Sequence, residues 1–419
     1  MKTKAVRIHG VRDFRLEEFE LSPMKEDEIL AEVICDGICM STYKMAQLGE
    51  KHKRVPAGIA QNPTIIGHEF CGVILKVGDK WKDQYKPGEH FVMQPNIDKD
   101  IYATIGYTYT EIGGDATYVK IMNKAMEDGC LLKFKGETYI EGAVVEPLGC
   151  VVGGFNAMHH YKDTSSYELV PGIREGGSLA LMGATGPMGF LAIDLAIHGD
   201  RKPARVLVAG RNKAKLERAK KLYTVEDAAA NGVELIYMDT EGRNDFGKEF
   251  RKLAKGGSGF DDAFVFAADA DLVTQTQAMM GFDGCLNFFA GPIDPNFMST
   301  INFYDVHYNA LHVVANSGGN NEDTLQAVEL IESKKVNVAK IATHILGLDQ
   351  AGQATLDLPN IGGGKKIVYT HKRYPLTDIA SIHEKDDPFH RGLSEILAAN
   401  NDVWCKEAED YFLQNAPEL

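Results

Sequence analysis

Residues Ser178-Leu-Ala-Leu-Met182-Gly183-Ala-Thr185-Gly186-Pro187-Met188-Gly189 read as a strand, a glycine turn and the start of a helix. A short apolar run bounded by a turn signal is the pattern of a strand buried on both faces. After the turn, Met188, Leu191, Ala192, Leu195 and Ala196 recur at the i, i+3, i+4, i+7, i+8 spacing of one apolar helix face. Strand, glycine turn and helix in this order form a dinucleotide-binding motif. The glycines allow a tight turn and close backbone approach, and the pyrophosphate sits on the helix N-terminus. The spacing is G-x-x-G-x-x-G, one residue longer than the usual fingerprint, so the strand-turn-helix context carries the assignment. Gly183, Thr185, Gly186, Pro187, Met188 and Gly189 are the expected coenzyme contacts.

The next strand, Arg205-Val-Leu-Val-Ala209, ends in Gly210 and Arg211. A fold of this kind built for NAD places Asp or Glu there to bind both ribose hydroxyls. Gly210 leaves that position empty and Arg211 adds a positive charge, which favours NADP(H) over NAD(H). Further strands are expected over 233–238, 263–267, 285–291 and 365–370, and a helix over 324–333. Alternating strands and helices of this kind make a doubly wound parallel sheet. The tail from 382 to 419 is acidic and amphipathic, with Phe389, Leu393, Ile396, Leu397, Trp404 and Phe412, and is expected to pack rather than float.

Ahead of this region the chain is strand-rich, with short strands expected over 5–8, 28–34, 72–78, 87–93 and 113–121. Among them stand donors of the zinc type. Cys39 follows an extended run at a polar turn. Pro63-Thr-Ile-Ile-Gly67-His68-Glu69 sets an imidazole beside a carboxylate where an apolar run stops. Glu146 directly precedes Pro147 in an otherwise apolar segment, where a carboxylate is costly to bury unless paired or bound to metal. Zinc accepts thiolate, imidazole and carboxylate, and a catalytic site supplies three protein ligands while leaving one position open. Each feature alone has a plainer meaning: a buried thiol, a satisfied His-Glu pair, and, for Ser41, a cap on a helix expected over 42–48. Cys35 reads as a buried thiol. No cysteine lies between Cys71 and Cys130, which excludes a second, four-cysteine zinc site there.

Lys51, His52, Lys53 and Arg54 form a run that is either a solvated loop or an anion site at the mouth of a pocket. Tyr102, Tyr107 and Tyr109 fall in an irregular stretch over 96–113, where they either pack a small lobe or line a pocket.

The 419 residues are enough for two domains with generous cores. With 44% hydrophobic and 25% charged residues the composition is that of a globular protein. The formal net charge of −14 gives no footprint for nucleic acid or an anionic membrane. No apolar run of signal-peptide or membrane-span length is found, and seven scattered cysteines do not make a disulfide framework. A reduced, cytoplasmic setting is expected.

Cys39 with Ser41, Gly67-His68-Glu69, Glu146-Pro147 and the glycine turn over 183–189, in this order, resemble the zinc-containing medium-chain dehydrogenase/reductases over about residues 1–380. Glutamate rather than cysteine before the proline is similar to the polyol dehydrogenases. The whole chain, tail included, resembles the sugar-phosphate reductases of the family. The resemblance implies a GroES-like, β-rich catalytic domain, 1–150 and 317–419, with a Rossmann domain, 151–316, inserted into it. It implies a homodimer or homotetramer, one catalytic zinc and no structural zinc. Carried over by position, Cys39, His68 and Glu146 match the zinc ligands, with Glu69 a ligand or a close neighbour of the metal. Ser41 matches the hydroxyl that passes the substrate proton outward. There are departures: Met40 replaces the usual glycine, Thr42 the usual aspartate, and Lys44 stands where the relay histidine does.

The implied chemistry is zinc-dependent hydride transfer between NAD(P)H and a ketone, interconverting a ketose phosphate and a sugar-alcohol phosphate. The basic run lies between Cys39 and His68, so Arg54, with Lys44, is expected to take the phosphate. Alternatives are an unphosphorylated polyol or secondary alcohol as substrate, a zinc-free reductase of the quinone-oxidoreductase type, and a non-catalytic dinucleotide-binding protein.

Overall fold

The computed structural model describes residues 1–97, 103–163 and 165–419, so Tyr102 lies outside the described residues. The chain divides into two compact units, residues 1–147 with 338–419, and residues 148–337. Residues 317–337 thus fall with the second unit, whereas the expected division lay at 316/317. The cause is local packing: the Asn156 amide donates to Asp323 at 2.8 Å, and Thr324 sits against Gly149, which fixes the helix Asn321–Glu332 on the helix Val145–Ala157.

The first unit is built on a sheet whose strands run in the order Thr377–Asp378, Ala342–Gly347, Lys365–Tyr369, Ile29–Gly37, Phe70–Val77, His90–Met93 and Leu131–Lys133, with Tyr118–Ile121 also on Ile29–Gly37. A smaller sheet holds Asp13–Glu20, Lys2–Gly10 and Thr64–Ile65. Ile29–Gly37 is the central strand. Its side chains alternate between buried and half-buried until Cys35, after which Cys35, Asp36 and Gly37 are all buried. Alternation is the mark of a strand with one covered face, so its loss shows the strand running into the interior at its end. Cys35 is paired with Cys71 on one side and with Tyr369 on the other. Val33, Phe70, Ile74, Phe91, Val119 and Ile121 fill the adjoining core.

The second unit is a six-stranded parallel sheet in the order Glu234–Asp239, Arg205–Gly210, Ser178–Met182, Phe260–Val265, Met280–Phe288 and His312–Val314. Chain order reverses at Ser178–Met182, the switch point at which open α/β sheets bind ligands. All five residues of that strand are buried. The helix Pro187–His198 differs from the expected one-faced pattern, because every residue from Gly189 to Ile197 is buried. Its one buried charge, Asp194, is satisfied by His198 at 2.6 Å and by the backbone N–H of Asn337 at 3.1 Å.

In the tail, helices Pro388–Ala399 and Lys406–Asn415 pack through Leu393, Leu397, Trp404 and Phe412. Among the described residues no helix is long and apolar enough to cross a membrane.

Candidate active site

The buried end of the central strand delivers the first donor. After Gly37 the chain turns, and Cys39 becomes the N-cap of the helix Met40–Leu48. Ser41 therefore lies inside the first turn and does not cap the helix. Its hydroxyl is 2.9 Å from Cys39 Sγ, to which it donates, and 3.2 Å from His68 Nε2. His68 and Glu69 arrive on the loop before Phe70–Val77. Gly67 makes that loop with a φ of +87°, and a Cβ there would run into the Asp36 carboxylate and the Asp115 backbone. Asp36 in turn accepts the backbone N–H of Glu69 at 3.0 Å and fixes the turn from beneath.

Cys39, His68 and Glu69 offer ligand atoms that all lie within 4.8 Å of one another. Ligands of a tetrahedral zinc stand roughly 3–4 Å apart, given bonds of about 2.0–2.3 Å. The donor set and its spacing fit such an ion with small side-chain rotations. Thr42 Oγ1 lies 3.5 Å from His68 Nδ1, leaving Nε2 as the nitrogen turned toward the other donors. Among the described residues no other group of His, Cys, Asp and Glu gathers in this way.

Glu146 lies in the first turn of the helix Val145–Ala157 and is not part of the tight group. Its charge is nonetheless felt there. Burial lowers the His68 pKa, and Glu146 and Glu69 oppose that shift. Burial and then Cys39 push the Glu69 carboxyl up to about 8, against the ammonium of Lys365. Lys365 is in direct contact with Glu69 Oε2.

Lys365 was not legible as a site residue, since a lysine opening a strand ordinarily points to solvent. Its burial depends on Gly37: a Cβ there would collide with both Glu69 Oε2 and Lys365 Cε. Tyr107, seen in the sequence only as one of three tyrosines, is buried and donates to Ser41 Oγ at 2.8 Å. Burial pushes its phenol up, so it remains a donor. Asp36 was also missed; a carboxylate inside an apolar run, the signal that marked Glu146, could have found it.

The basic run divides by side. His52 stacks on the Tyr107 ring with centroids 5.4 Å apart, and the Arg54 guanidinium lies 5.4 Å from the same ring, whereas Lys51 and Lys53 are exposed. Burial, then Arg54 and Lys53, hold His52 down to about 4, so Arg54 carries the positive charge on this side. Lys44 is half-buried; burial lowers its pKa and Cys39 opposes.

In the second unit a cavity of about 640 Å³ opens beside the switch point, lined by Gly183, Thr185, Gly210, Arg211, Lys215 and Arg243 among others. Gly186 is the N-cap of Pro187–His198, and a Cβ on it would enter open space. Pro187 occupies the first helical turn; Met188 and Gly189 follow inside the helix, and none of Gly186 to Gly189 lines the cavity. A Cβ at Gly210 would meet the Thr185 side chain at 2.5 Å, so the strand end packs closely on the glycine turn. The cavity lining carries three cations, Arg211, Lys215 and Arg243, and three carboxylates, Glu241, Asp269 and Asp271.

A model of the alcohol dehydrogenase GroES-like domain matches residues 25–128. The chain is similar to L-sorbose 1-phosphate reductase of Klebsiella pneumoniae, at 46% identity over 418 residues, covering 100% of this chain and 98% of that protein. It is similar to mannitol-1-phosphate 5-dehydrogenase of Aliivibrio fischeri, at 43% identity over 416 residues, covering 99% of this chain and 98% of that one. Among solved structures, 2R,3R-butanediol dehydrogenase from Bacillus subtilis matches with a TM-score of 0.71 at 20% identity, covering 88% of this chain and 99% of the other, a likeness of fold alone.

Proposed function

The chain belongs to the zinc-type medium-chain alcohol dehydrogenase family, and from that premise we propose that it interconverts a ketose phosphate and a sugar-alcohol phosphate, L-sorbose 1-phosphate and D-glucitol 6-phosphate being the favoured pair. The family is that of zinc-dependent alcohol and polyol dehydrogenases using NAD(P). Cys39, His68 and Glu69 would hold one zinc ion, with Glu146 beside it. The coenzyme would lie along Gly183, Thr185 and the N-terminus of Pro187–His198, with NADP(H) preferred through Arg211. When bound, zinc supplies Lewis acidity to a carbonyl oxygen and the nicotinamide supplies or accepts the hydride.

The chain's own residues do the rest. A hydroxyl has one proton to give and two lone pairs. Tyr107 occupies one lone pair of Ser41, and the Ser41 proton, held by Cys39 Sγ in this structure, would turn to a substrate oxygen during reduction and be regained during oxidation. Lys365 holds the Glu69 carboxylate through Oε2 and offsets its charge. Arg54 gives a phosphate a planar, permanently charged partner.

The observation that carries the phosphorylated substrate is the Arg54 guanidinium over the Tyr107 ring, whose hydroxyl donates to Ser41. One cation is thereby set a single residue away from the proton donor. Two relatives over the full length bear names of sugar-phosphate enzymes, which supports the same substrate class. The test is initial rates with L-sorbose 1-phosphate and L-sorbose, each with NADPH and NADH. The phosphorylated ketose with NADPH should be the best pair by kcat/KM; equal efficiency for free and phosphorylated sorbose would refute the phosphate assignment.

A further inference from the structure

We propose that Glu409, on the last helix of the chain, is a positioning residue for the metal centre, because its buried carboxylate joins the helix that leads to Glu146 to the strand that carries Lys365. The carboxylate accepts three hydrogen bonds: from Tyr139 N at 2.6 Å, from Ile140 N at 3.1 Å and from the Tyr369 hydroxyl at 2.8 Å. Glu409 is 1% exposed.

Each of those donors belongs to an element with one end at the site. Tyr139 and Ile140 open the short helix Tyr139–Ala143, which is followed by Val145–Ala157 with Glu146 in its first turn. The last residue of the short helix reaches the centre, since a Cβ on Gly37 would meet the Ala143 carbonyl at 3.3 Å as well as Glu69 and Lys365. Tyr369 and Lys365 are the two ends of one strand, four residues apart and so on the same face. Gly37, Ala143, Glu69 and Lys365 thus pack on one another at the site, and Glu409 holds two of their parent elements at a fixed spacing behind it.

Anchoring the tail does not by itself call for a buried carboxylate. Phe412 packs on Tyr369 with ring centroids 4.8 Å apart and on Tyr374 at 5.0 Å, and Trp404 on Phe412 at 5.9 Å. Arg373 N donates to Pro417 O and Leu419 N to His371 O, each at 2.9 Å. Apolar contacts tolerate small shifts, whereas a carboxylate taking three directed donors fixes orientation. Orientation is what metal ligands and their supporting shell require.

The inference rests on the metal centre proposed above, and its test separates the two. Zinc affinity of the full chain is measured by competition with a chromophoric chelator for wild type, Glu409→Gln and Tyr369→Phe, alongside the thermal midpoint and circular dichroism. Tyr369→Phe keeps the ring packing and removes one donor, so it decides the matter if Glu409→Gln does not fold. Folded variants should bind zinc more weakly, about tenfold for Glu409→Gln, at the lower edge of the effect of outer-shell partners. Tyr369→Phe should move in the same direction by a smaller factor. Variants with a lowered thermal midpoint but zinc affinity within about twofold of wild type would overturn the proposal and leave Glu409 a tail anchor. A wild-type chain that takes up no zinc would overturn the metal centre itself.

Discussion

The ammonium of Lys365 lies in contact with the Glu69 carboxylate, and both side chains are almost wholly buried. A buried pair of this kind owes its stability to being complete: removing one partner leaves a desolvated charge behind. The pair also sets the state of a metal donor. Glu69 must be ionised to bind a cation, and Lys365 opposes the burial that pushes its carboxyl up to about 8.

Lys365→Met keeps most of the side-chain volume and deletes the charge. It should weaken zinc binding about 10- to 100-fold, the usual effect of losing an outer-shell partner. The pH needed for half-maximal zinc uptake should rise, because Glu69 then loses a group that lowers its pKa. Unchanged affinity and an unchanged uptake profile would show that Lys365 has no part in the centre.

Arg54→Ala should cost about 1–3 kcal/mol of binding for a phosphorylated ketose, the range for hydrogen bonds to charged groups. Weak turnover of the free sugar should stay as it was. Steady-state kinetics on both substrates decides this, and an equal loss on the two would remove Arg54 from phosphate recognition.

Arg211 is 82% exposed in its side chain and lies 3.7 Å from Asp269, within the lining of the coenzyme cavity. Exposure limits what it contributes, so Arg211→Ala should raise KM for NADPH by about fivefold, roughly 1 kcal/mol. KM for NADH should hardly move. Parallel changes with both coenzymes would argue for a role in shaping the turn rather than in binding a 2′-phosphate.

The metal-free chain should lose stability as the pH rises. Burial is the main cause that lifts Asp115 and Glu409 to about 7 and Glu69 to about 8. Each holds its proton more tightly folded than unfolded. Their contribution is therefore complete below the ordinary values of 3.8 to 4.5 and is lost as the pH climbs through about 7 to about 8. Within that window each group costs up to about 1.4 kcal/mol per pH unit. The thermal midpoint of chelator-treated protein should fall from about pH 5 to about pH 9. A flat or rising midpoint would contradict these shifts.

Much of this was legible in the sequence, for reasons that differ from residue to residue. Ser178–Met182 is an apolar run because every one of its side chains is covered, so the pattern and the sheet centre coincide. Cys39, His68 and Glu69 stood out because thiolate, imidazole and carboxylate are the donors that zinc accepts. The helix Pro187–His198 misled, since its off-face residues Phe190, Ile193 and Ile197 are as buried as its expected stripe. Arg54 was set apart from Lys51 and Lys53 in the sequence only by its guanidinium; in the structure His52 and Arg54 lie against the Tyr107 ring while Lys51 and Lys53 are exposed. Lys365 and Glu409 owe their places to partners more than a hundred residues away, such as Glu69 and Tyr139, and no local pattern announces contacts of that range.

The most direct test of the metal centre is a zinc titration of the chelator-stripped chain, following ketose-phosphate reduction and bound metal together. Activity should return in proportion to zinc and saturate at one ion per chain. Cys39→Ala should bind none and stay inactive while keeping the wild-type circular dichroism spectrum. A chain that reduces the ketose at full rate with no metal bound would contradict the account.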